Sequence, residues 1–420
     1  MPSRIPIRWW IALVLFGSTT INYIDRQTLS VLAPHLKTEF HWNNSDFAVI
    51  VVAFRIAYSV FQLLSGRLLD VLGTRRGLTL AVIWYSVCSM LTAFSTGLRS
   101  FAVCRFLLGA GEAANWPGAT KAVSEWFPMR QRGIAVAIFD SGSAVGGAIA
   151  PALVLWLYHS FQSWRPAFVI TGLLGLAWVV VFRLIYEVPA KHPTVTEAER
   201  NEILAERHAE GIPMHSASWS ALLQRPDTWG ILLGRCLTDP VWFFITDWFA
   251  VYLVSKGFRL ENTIIGFWVP FAAADLGNIA GGAFSGWLVR RGWNVINARK
   301  AVILVCGIGM ALLVPAAFSN NFVTLITLFA VSTFSYAAWS TMALTLPTDL
   351  YASNAVATIS GISGCGAGIG TIVSTLAIGW ITDRYSFQPV LVGASIIPLI
   401  ATAAVFFLVR NKPVHEHVLT

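Results

Sequence analysis

An all-α integral membrane protein, with twelve transmembrane helices in two pseudo-symmetric six-helix bundles, is the fold class that three features of this 420-residue sequence predict. Hydrophobic residues make up 56% and charged residues 12% of it, and the mean hydropathy is +0.65. That leaves too little polar surface to solvate a globular exterior, so lipid is the expected solvent. Apolar runs of about 20 residues, each able to cross roughly 30 Å of hydrocarbon as a helix, recur along nearly the whole chain. The two halves also echo each other at an offset of about 220 residues, the mark of parallel repeats in a transporter.

Spans fall near 9–34, 47–71, 77–97, 100–122, 133–157, 165–187, 229–255, 262–289, 300–318, 322–345, 354–380 and 388–409. Backbone groups surrounded by lipid must bond to one another, which makes these runs helices. A transmembrane barrel would alternate polar and apolar residues over strands of about ten, and Gly77–Gly97 and Lys300–Phe318 show no such alternation. The expected domains are a six-helix bundle at 1–188, a cytoplasmic linker at 189–228 and a second bundle at 229–420. Inside the linker, Thr196 and Glu199 have capping-box spacing and open a charged helix through about Ala209.

The repeat is carried by particular residues. Gly66, Asp70, Gly73, Arg75 and Arg76 after the second span are answered by Gly286, Arg290, Arg291 and Gly292 after the eighth. Gly142, Gly146 and Gly147 in span five are matched by Gly364, Gly366, Gly368 and Gly370 in span eleven, and Ser160-Phe161-Gln162 returns as Ser386-Phe387-Gln388. Small residues at such spacing let helices approach closely.

The net charge of +8 does not indicate nucleic acid, because the basic residues form no patch interleaved with aromatics on a soluble domain. Arg75–Arg76, Arg130 with Arg132, Arg290–Arg291 and Arg299–Lys300 fall in alternate connections instead, as the positive-inside bias requires of cytoplasmic loops. A multi-pass protein of the plasma (inner) membrane with both termini cytoplasmic is expected. The basic opening Met1–Trp10 runs into a full-length span without a small-residue cleavage site, so no removable signal peptide is expected. Cys88, Cys104, Cys236, Cys306 and Cys365 lie singly in apolar segments without metal-ligand spacing and read as packing residues.

On several of these residues the chain resembles the major facilitator superfamily, whose signature between spans two and three is matched by Gly66, Asp70, Gly73, Arg75 and Arg76. It is similar, more particularly, to the anion:cation symporter branch. That likeness rests on Asn22-Tyr23-Ile24-Asp25-Arg26, on Arg105 through Glu112, and on Glu125-Trp126-Phe127-Pro128. Gly234-Arg235, Asp239-Pro240, Trp242, Ala274-Asp275-Leu276-Gly277 and Ala298-Arg299-Lys300 make the second half resemble bacterial hexuronate transporters. The resemblance implies inward movement of glucuronate or galacturonate with protons, proton-handling roles for Asp25 and Glu112, and a place for Arg105 in the gating network. Asp140 departs from it, standing where the similar sequences usually carry asparagine, and so do Tyr336, Ala337 and Cys365.

Independently of any resemblance, an ionisable side chain at mid-bilayer costs about 2.5–3.5 kcal/mol on insertion scales, so the charged residues within spans need a reason. In span one, Tyr23 lies three residues before Arg26 and shares its face. Arg26 offers a forked donor matched to a carboxylate, and Tyr23 offers a hydroxyl and a ring for a sugar. The alternative is an internal charge balance between Asp25 and Arg26. On span four, Arg105 and Glu112 are two turns apart on one stripe. Glu112 is the first candidate for proton coupling and Asp25 the second, against the alternative of a buried structural ion pair with Arg105. A proton is thus the expected coupling ion, with no metal or other cofactor.

Tyr58 and Gln62 on span two suit sugar hydroxyls, with Arg55 on the neighbouring turn. Arg235 and Asp239 on span seven are spaced for an ion pair, and Asp275 and Asn278 stand three apart on span eight. Arg235 and Asn278 are candidates for substrate binding, and Trp242, Trp268 and Trp339 for stacking on a pyranose ring. Asp70, Arg75, Arg76, Arg130 and Arg132 lie at the cytoplasmic ends of spans and are expected to gate.

The expected function is secondary active import of an anionic sugar acid with protons by alternating access, in a monomer embedded in the bilayer. The alternative is an exchanger or symporter of another organic anion, an aldonate such as galactonate or an organic phosphate, with Arg26 and Arg235 as paired clamps. An enzyme is not expected, because no nucleophile–base constellation or phosphate loop stands out, and no signalling domain is attached to suggest a sensor.

Overall fold

The computed structural model describes residues 6–209, 218–258 and 264–410. Part of the expected linker, 210–217, and the first residues of the expected eighth span, 262–263, lie outside the described residues. The helices in chain order are α1 (Ile7–Glu39), α2 (Asn44–Leu72), α3 (Thr74–Thr92), α4 (Leu98–Glu112), α5 (Asn115–Trp126), α6 (Met129–Phe161), α7 (Arg165–Ile185), α8 (Glu197–Ala209) and α9 (Trp219–Leu223). They continue with α10 (Pro226–Asp247), α11 (Phe249–Ser255), α12 (Ile264–Arg290), α13 (Val295–Met310), α14 (Leu313–Phe318), α15 (Phe322–Leu350), α16 (Val356–Arg384) and α17 (Phe387–Leu408). Among the described residues there are no strands.

Among the described residues, seven helical stretches are long and apolar enough to cross a membrane by length and composition. Several of the remaining expected spans carry charges, α1 with Asp25 and Arg26 and α4 with Arg105 and Glu112. Leu184, Phe407, Phe94 and Leu376 are each at least 70% exposed, side chains that a water-facing surface rarely shows in such number and that lipid accommodates.

Three spans expected to be continuous are broken. The fourth divides into α4 and α5, the seventh into α10 and α11, and the ninth into α13 and α14. Proline explains two of the breaks. Pro117 has no N–H for the carbonyl of Ala113, and Pro315 none for that of Ala311, and each deprived residue stands where its helix ends. Glu112 is therefore the last residue of α4, beside an interrupted backbone.

The chain divides into two compact units: Met1–Pro128, Ile138–Ser216 and Ala352–Gly361 in the first, and Met129–Ala137, Ala217–Tyr351 and Ile362–Thr420 in the second. Each unit thus includes a short piece of the other half of the sequence. In the first, Leu32, Leu36, Trp42, Phe101, Trp164 and Phe168 form an aromatic-rich core where α1 ends and α4 and α7 begin. In its carried-over piece, Gly66 of α2 crosses the start of α16 so closely that a Cβ would lie 2.3 Å from the Ala357 carbonyl oxygen. In the second, Arg299 of α13 donates through Nε to Asp349 of α15 at 3.0 Å, through Nη1 to Ser285 at 2.7 Å and through Nη2 to the Met129 carbonyl at 2.8 Å.

The linker helix α8 starts as its spacing indicates, with the Glu199 amide donating to Thr196 Oγ1 at 3.2 Å. The Glu199 carboxylate does not complete the expected box. It accepts instead from the Ile7 and Arg8 amides and from Arg8 Nε, at 3.2, 3.2 and 3.1 Å, and so caps α1. Glu199→Ala is expected to cost about 2–3 kcal/mol of stability, the sum of a lost cap and a charge-assisted bond. The unfolding temperature in detergent measures this, and an unchanged value would reduce the contact to an ornament of the fold.

Candidate functional site

Within the first unit, α1, α2 and the end of α4 build a cationic site inside an aromatic frame. The Arg26 guanidinium carbon lies 4.7 Å from the Tyr58 ring centre, 5.0 Å from that of Tyr23 and 5.1 Å from that of Phe54. Its Nη2 and Nε donate to one oxygen of Glu112, Oε2, at 3.2 and 3.4 Å, and Nη2 also reaches Asn22 Oδ1 at 3.4 Å. Glu112 is fully buried, whereas the Arg26 side chain is 24% exposed. The second oxygen of Glu112 has no hydrogen-bond partner in the protein. A planar guanidinium stacked on rings and held by one carboxylate oxygen can receive a second carboxylate in the same plane.

Asp25 points away from this frame. It is buried against α3 and α7, where Ser89 Oγ donates to Oδ1 at 2.9 Å and itself lies 3.3 Å from Thr171 Oγ1. Arg26 is therefore paired with Glu112 and not with its sequence neighbour. Arg105 is buried as well, but its guanidinium carbon lies over the Phe168 ring at 5.9 Å, and Nε and Nη2 have no hydrogen-bond partner in the protein. Arg105 and Glu112 share the interior of the unit through electrostatics, without the ion pair that their spacing suggests. Asp140 of α6 accepts from Trp116 Nε1 at 3.1 Å, and the Trp116 ring lies 6.0 Å from that of Tyr23. Gln62 is buried on α2 one turn beyond Tyr58.

A second polar cluster lies in the second unit. Arg235 Nη2 donates to Asp239 Oδ2 at 2.6 Å, and the Tyr336 hydroxyl donates to Asp239 Oδ1 at 3.3 Å. Trp242 stacks on the Tyr336 ring at 5.8 Å with an interplanar angle of 7°. Asn278 accepts from Thr341 Oγ1 at 2.9 Å, and Asp275 is half-buried on the same helix. Two stacking candidates lie elsewhere. Trp339 is fully buried and donates to Thr402, which makes it a packing residue, and Trp268 is half exposed.

Asp70 caps a helix across the sequence repeat. Its carboxylate accepts from Lys121 Nζ at 2.6 Å and, at the first turn of α16, from the Thr358 amide at 2.7 Å and hydroxyl at 2.6 Å. Arg132 is buried in the second unit, donating to the Thr348 carbonyl and lying 3.6 Å from Asp349. Arg75 is paired with Glu187 and donates to the Arg183 carbonyl at 2.8 Å, while Arg76 and Arg130 are exposed. Lys121, Thr358, Asp349 and Glu187 are the partners that reading the sequence missed. For Lys121 and Asp349 the available signal was a charge within or at the edge of an apolar span.

Long apolar helices, a broken helix ending on a buried glutamate and an arginine held over three rings describe a membrane protein with paired charges in the interior of one unit. The sequence pattern of the Major Facilitator Superfamily matches residues 15–298 and 293–419. The chain belongs to this superfamily. This facilitator is 34% identical to the hexuronate transporter of Escherichia coli (strain K12), over 98% of its own length and 96% of the relative's. It is 35% identical to the galacturonate transporter of Dickeya chrysanthemi, over 71% of its own length and 87% of the relative's. Its fold is that of the proton:xylose symporter XylE bound to 6-bromo-6-deoxy-D-glucose, with a TM-score of 0.76 over 97% of each chain at 13% identity. The facilitator is accordingly a multi-pass membrane transporter of a small molecule and not an enzyme.

Proposed function

We propose that this facilitator is a sugar-acid importer of the inner membrane, its termini in the cytoplasm, which carries a hexuronate such as galacturonate or glucuronate inward with protons by alternating access. The Arg26–Glu112 pair inside the frame of Tyr23, Phe54 and Tyr58 carries the proposal. A hexuronate has one carboxylate and a ring bearing hydroxyls. Its carboxylate fits the guanidinium fork, and its ring fits the tyrosine faces and hydroxyls.

Coupling follows from competition for Arg26. When the substrate carboxylate takes the guanidinium, Glu112 is left fully buried without its cation. Burial of an unpaired charge is expensive, so Glu112 accepts a proton as the anion binds. Loss of that proton to the other side restores the pair and displaces the substrate. Asp70 with Thr358, and Arg132 with Asp349, act in this reading as the gating contacts that break and re-form in each cycle.

Proteoliposomes with an inward proton gradient and labelled galacturonate or glucuronate test this. The native protein is expected to accumulate the label. Glu112→Gln, which cannot take the proton, is expected to lose gradient-driven accumulation and keep exchange of internal for external substrate. Native uptake indifferent to the gradient would replace symport by organic-anion exchange.

A further inference from the structure

We infer that a cavity beside the start of α1 binds the headgroup of an anionic phospholipid, which fastens the linker to the first unit. The inference is independent of which solute is carried. The cavity has a volume of about 500 Å³, and all of its lining belongs to the first unit. Ile7 and Trp10 come from the first turn of α1, Arg75 from the start of α3, Leu184 from the last turn of α7, and Lys191 and Thr194 from the linker. The ends of three spans meet there, which sets the cavity at the level of the bilayer surface.

Its lining divides by chemistry. Leu184 is 81% exposed and Trp10 47%, an aliphatic chain suited to acyl tails and an indole of the kind that settles at headgroup level. Arg75 and Lys191 supply two cations, and the one acid of the lining, Glu187, is paired with Arg75. The Lys191 side chain is exposed and makes no hydrogen bond or ion pair among the described residues, its one bond being from its amide to the Val188 carbonyl at 2.9 Å. Both ring nitrogens of His192 are engaged by backbone, Nε2 at 2.9 Å from the Ile185 carbonyl and Nδ1 accepting from the Thr194 amide at 3.3 Å. An imidazole that accepts at Nδ1 is neutral. The lining therefore carries one net positive charge, on Lys191.

That charge matches a phosphodiester with a single negative charge, and the exposed apolar side chains match the tails that such a group carries in a lipid. A zwitterionic lipid would bring a second ammonium to Lys191, and a soluble phosphate would leave Trp10 and Leu184 uncovered. A phosphate shared by Arg75 and Lys191 joins α3 to the single turn Pro189–Lys191 of the linker, so binding stabilises the folded unit.

The test is the full-length protein in neutral detergent, titrated with phosphatidylglycerol, phosphatidylcholine or soluble glycerol phosphate. Mass spectrometry of the intact protein counts the lipid retained, and the unfolding midpoint reports stabilisation. The native protein and Lys191→Arg are expected to retain phosphatidylglycerol saturably and to unfold at a higher temperature with it. Lys191→Gln is expected to weaken this binding about fivefold, the effect of removing one basic contact to an anionic lipid. Phosphatidylcholine and glycerol phosphate are expected neither to saturate the site nor to raise the midpoint. Because Lys191 is exposed and its side chain unbonded, the variant keeps the fold. Native-like phosphatidylglycerol binding by Lys191→Gln overturns the inference, and so does equal retention of phosphatidylcholine. Saturation by glycerol phosphate as readily as by lipid overturns it too, leaving a site for small anions.

Discussion

Arg26→Lys is expected to lower sugar-acid uptake by two to three orders of magnitude while the protein still elutes as a folded species. Lysine keeps a positive charge beside Glu112, so the buried glutamate is not orphaned. It loses the planar fork that receives a carboxylate with two parallel bonds and the flat face that stacks on Tyr23, Phe54 and Tyr58. A charge-assisted bond is worth about 1.5–3 kcal/mol, and because a lysine ammonium keeps most of the cation–π attraction only about 1 kcal/mol more is lost with the stacking, which together give a loss of about a hundredfold to a thousandfold. Arg26→Ala differs in kind, because it also leaves Glu112 without a cation and adds about 3–5 kcal/mol of destabilisation. The comparison therefore separates binding from folding. Substrate-dependent tryptophan quenching and labelled uptake, each normalised to folded protein, measure it. Near-native uptake by Arg26→Lys would show that the guanidinium geometry does not bind the carboxylate.

The largest stability effect is expected at Asp349. Its carboxylate lies 3.0 Å from Arg299 and 3.6 Å from Arg132, and all three side chains are at most 1% exposed. Asp349→Asn leaves two arginines buried without their shared counter-charge, and removing one partner of such a cluster costs about 3–5 kcal/mol. Arg299 keeps its bonds to Ser285 and to the Met129 carbonyl, so the unit should loosen locally without coming apart. An unfolding midpoint in detergent that drops steeply for Asp349→Asn, and less for Asp349→Glu, is the expected pattern. A change below about 1 kcal/mol would place the cluster among exposed pairs of little weight.

Much of the fold was readable because the bilayer imposes one rule, that backbone polar groups bond within the span. Hydropathy therefore locates the helices, and the cost of charge in lipid singles out Asp25, Arg26, Arg105 and Glu112. Partners were harder to read. Helical spacing suggests Arg105 for Glu112, yet Pro117 ends α4 at Glu112, and this acid meets Arg26, 86 positions away. No local period encodes a contact of that range. The capping spacing at Thr196 and Glu199 correctly marks the start of α8, but the Glu199 carboxylate is drawn to α1 by the uncapped amides of Ile7 and Arg8. Trp339 shows the same limit, since its aromatic character fits stacking on a sugar and only its contact with Thr402 reveals packing.

Asp70 and Thr358 stand on opposite sides of the linker in sequence, as do Arg132 and Asp349, yet each pair belongs to a single compact unit. A hybrid joined at the linker from two relatives therefore inherits one member of each pair from each parent. Recombination that looks modular in the gene is constrained at these residues in the protein, and compatible parents are those whose α2 and α15 ends already suit each other's α16 and α6 beginnings.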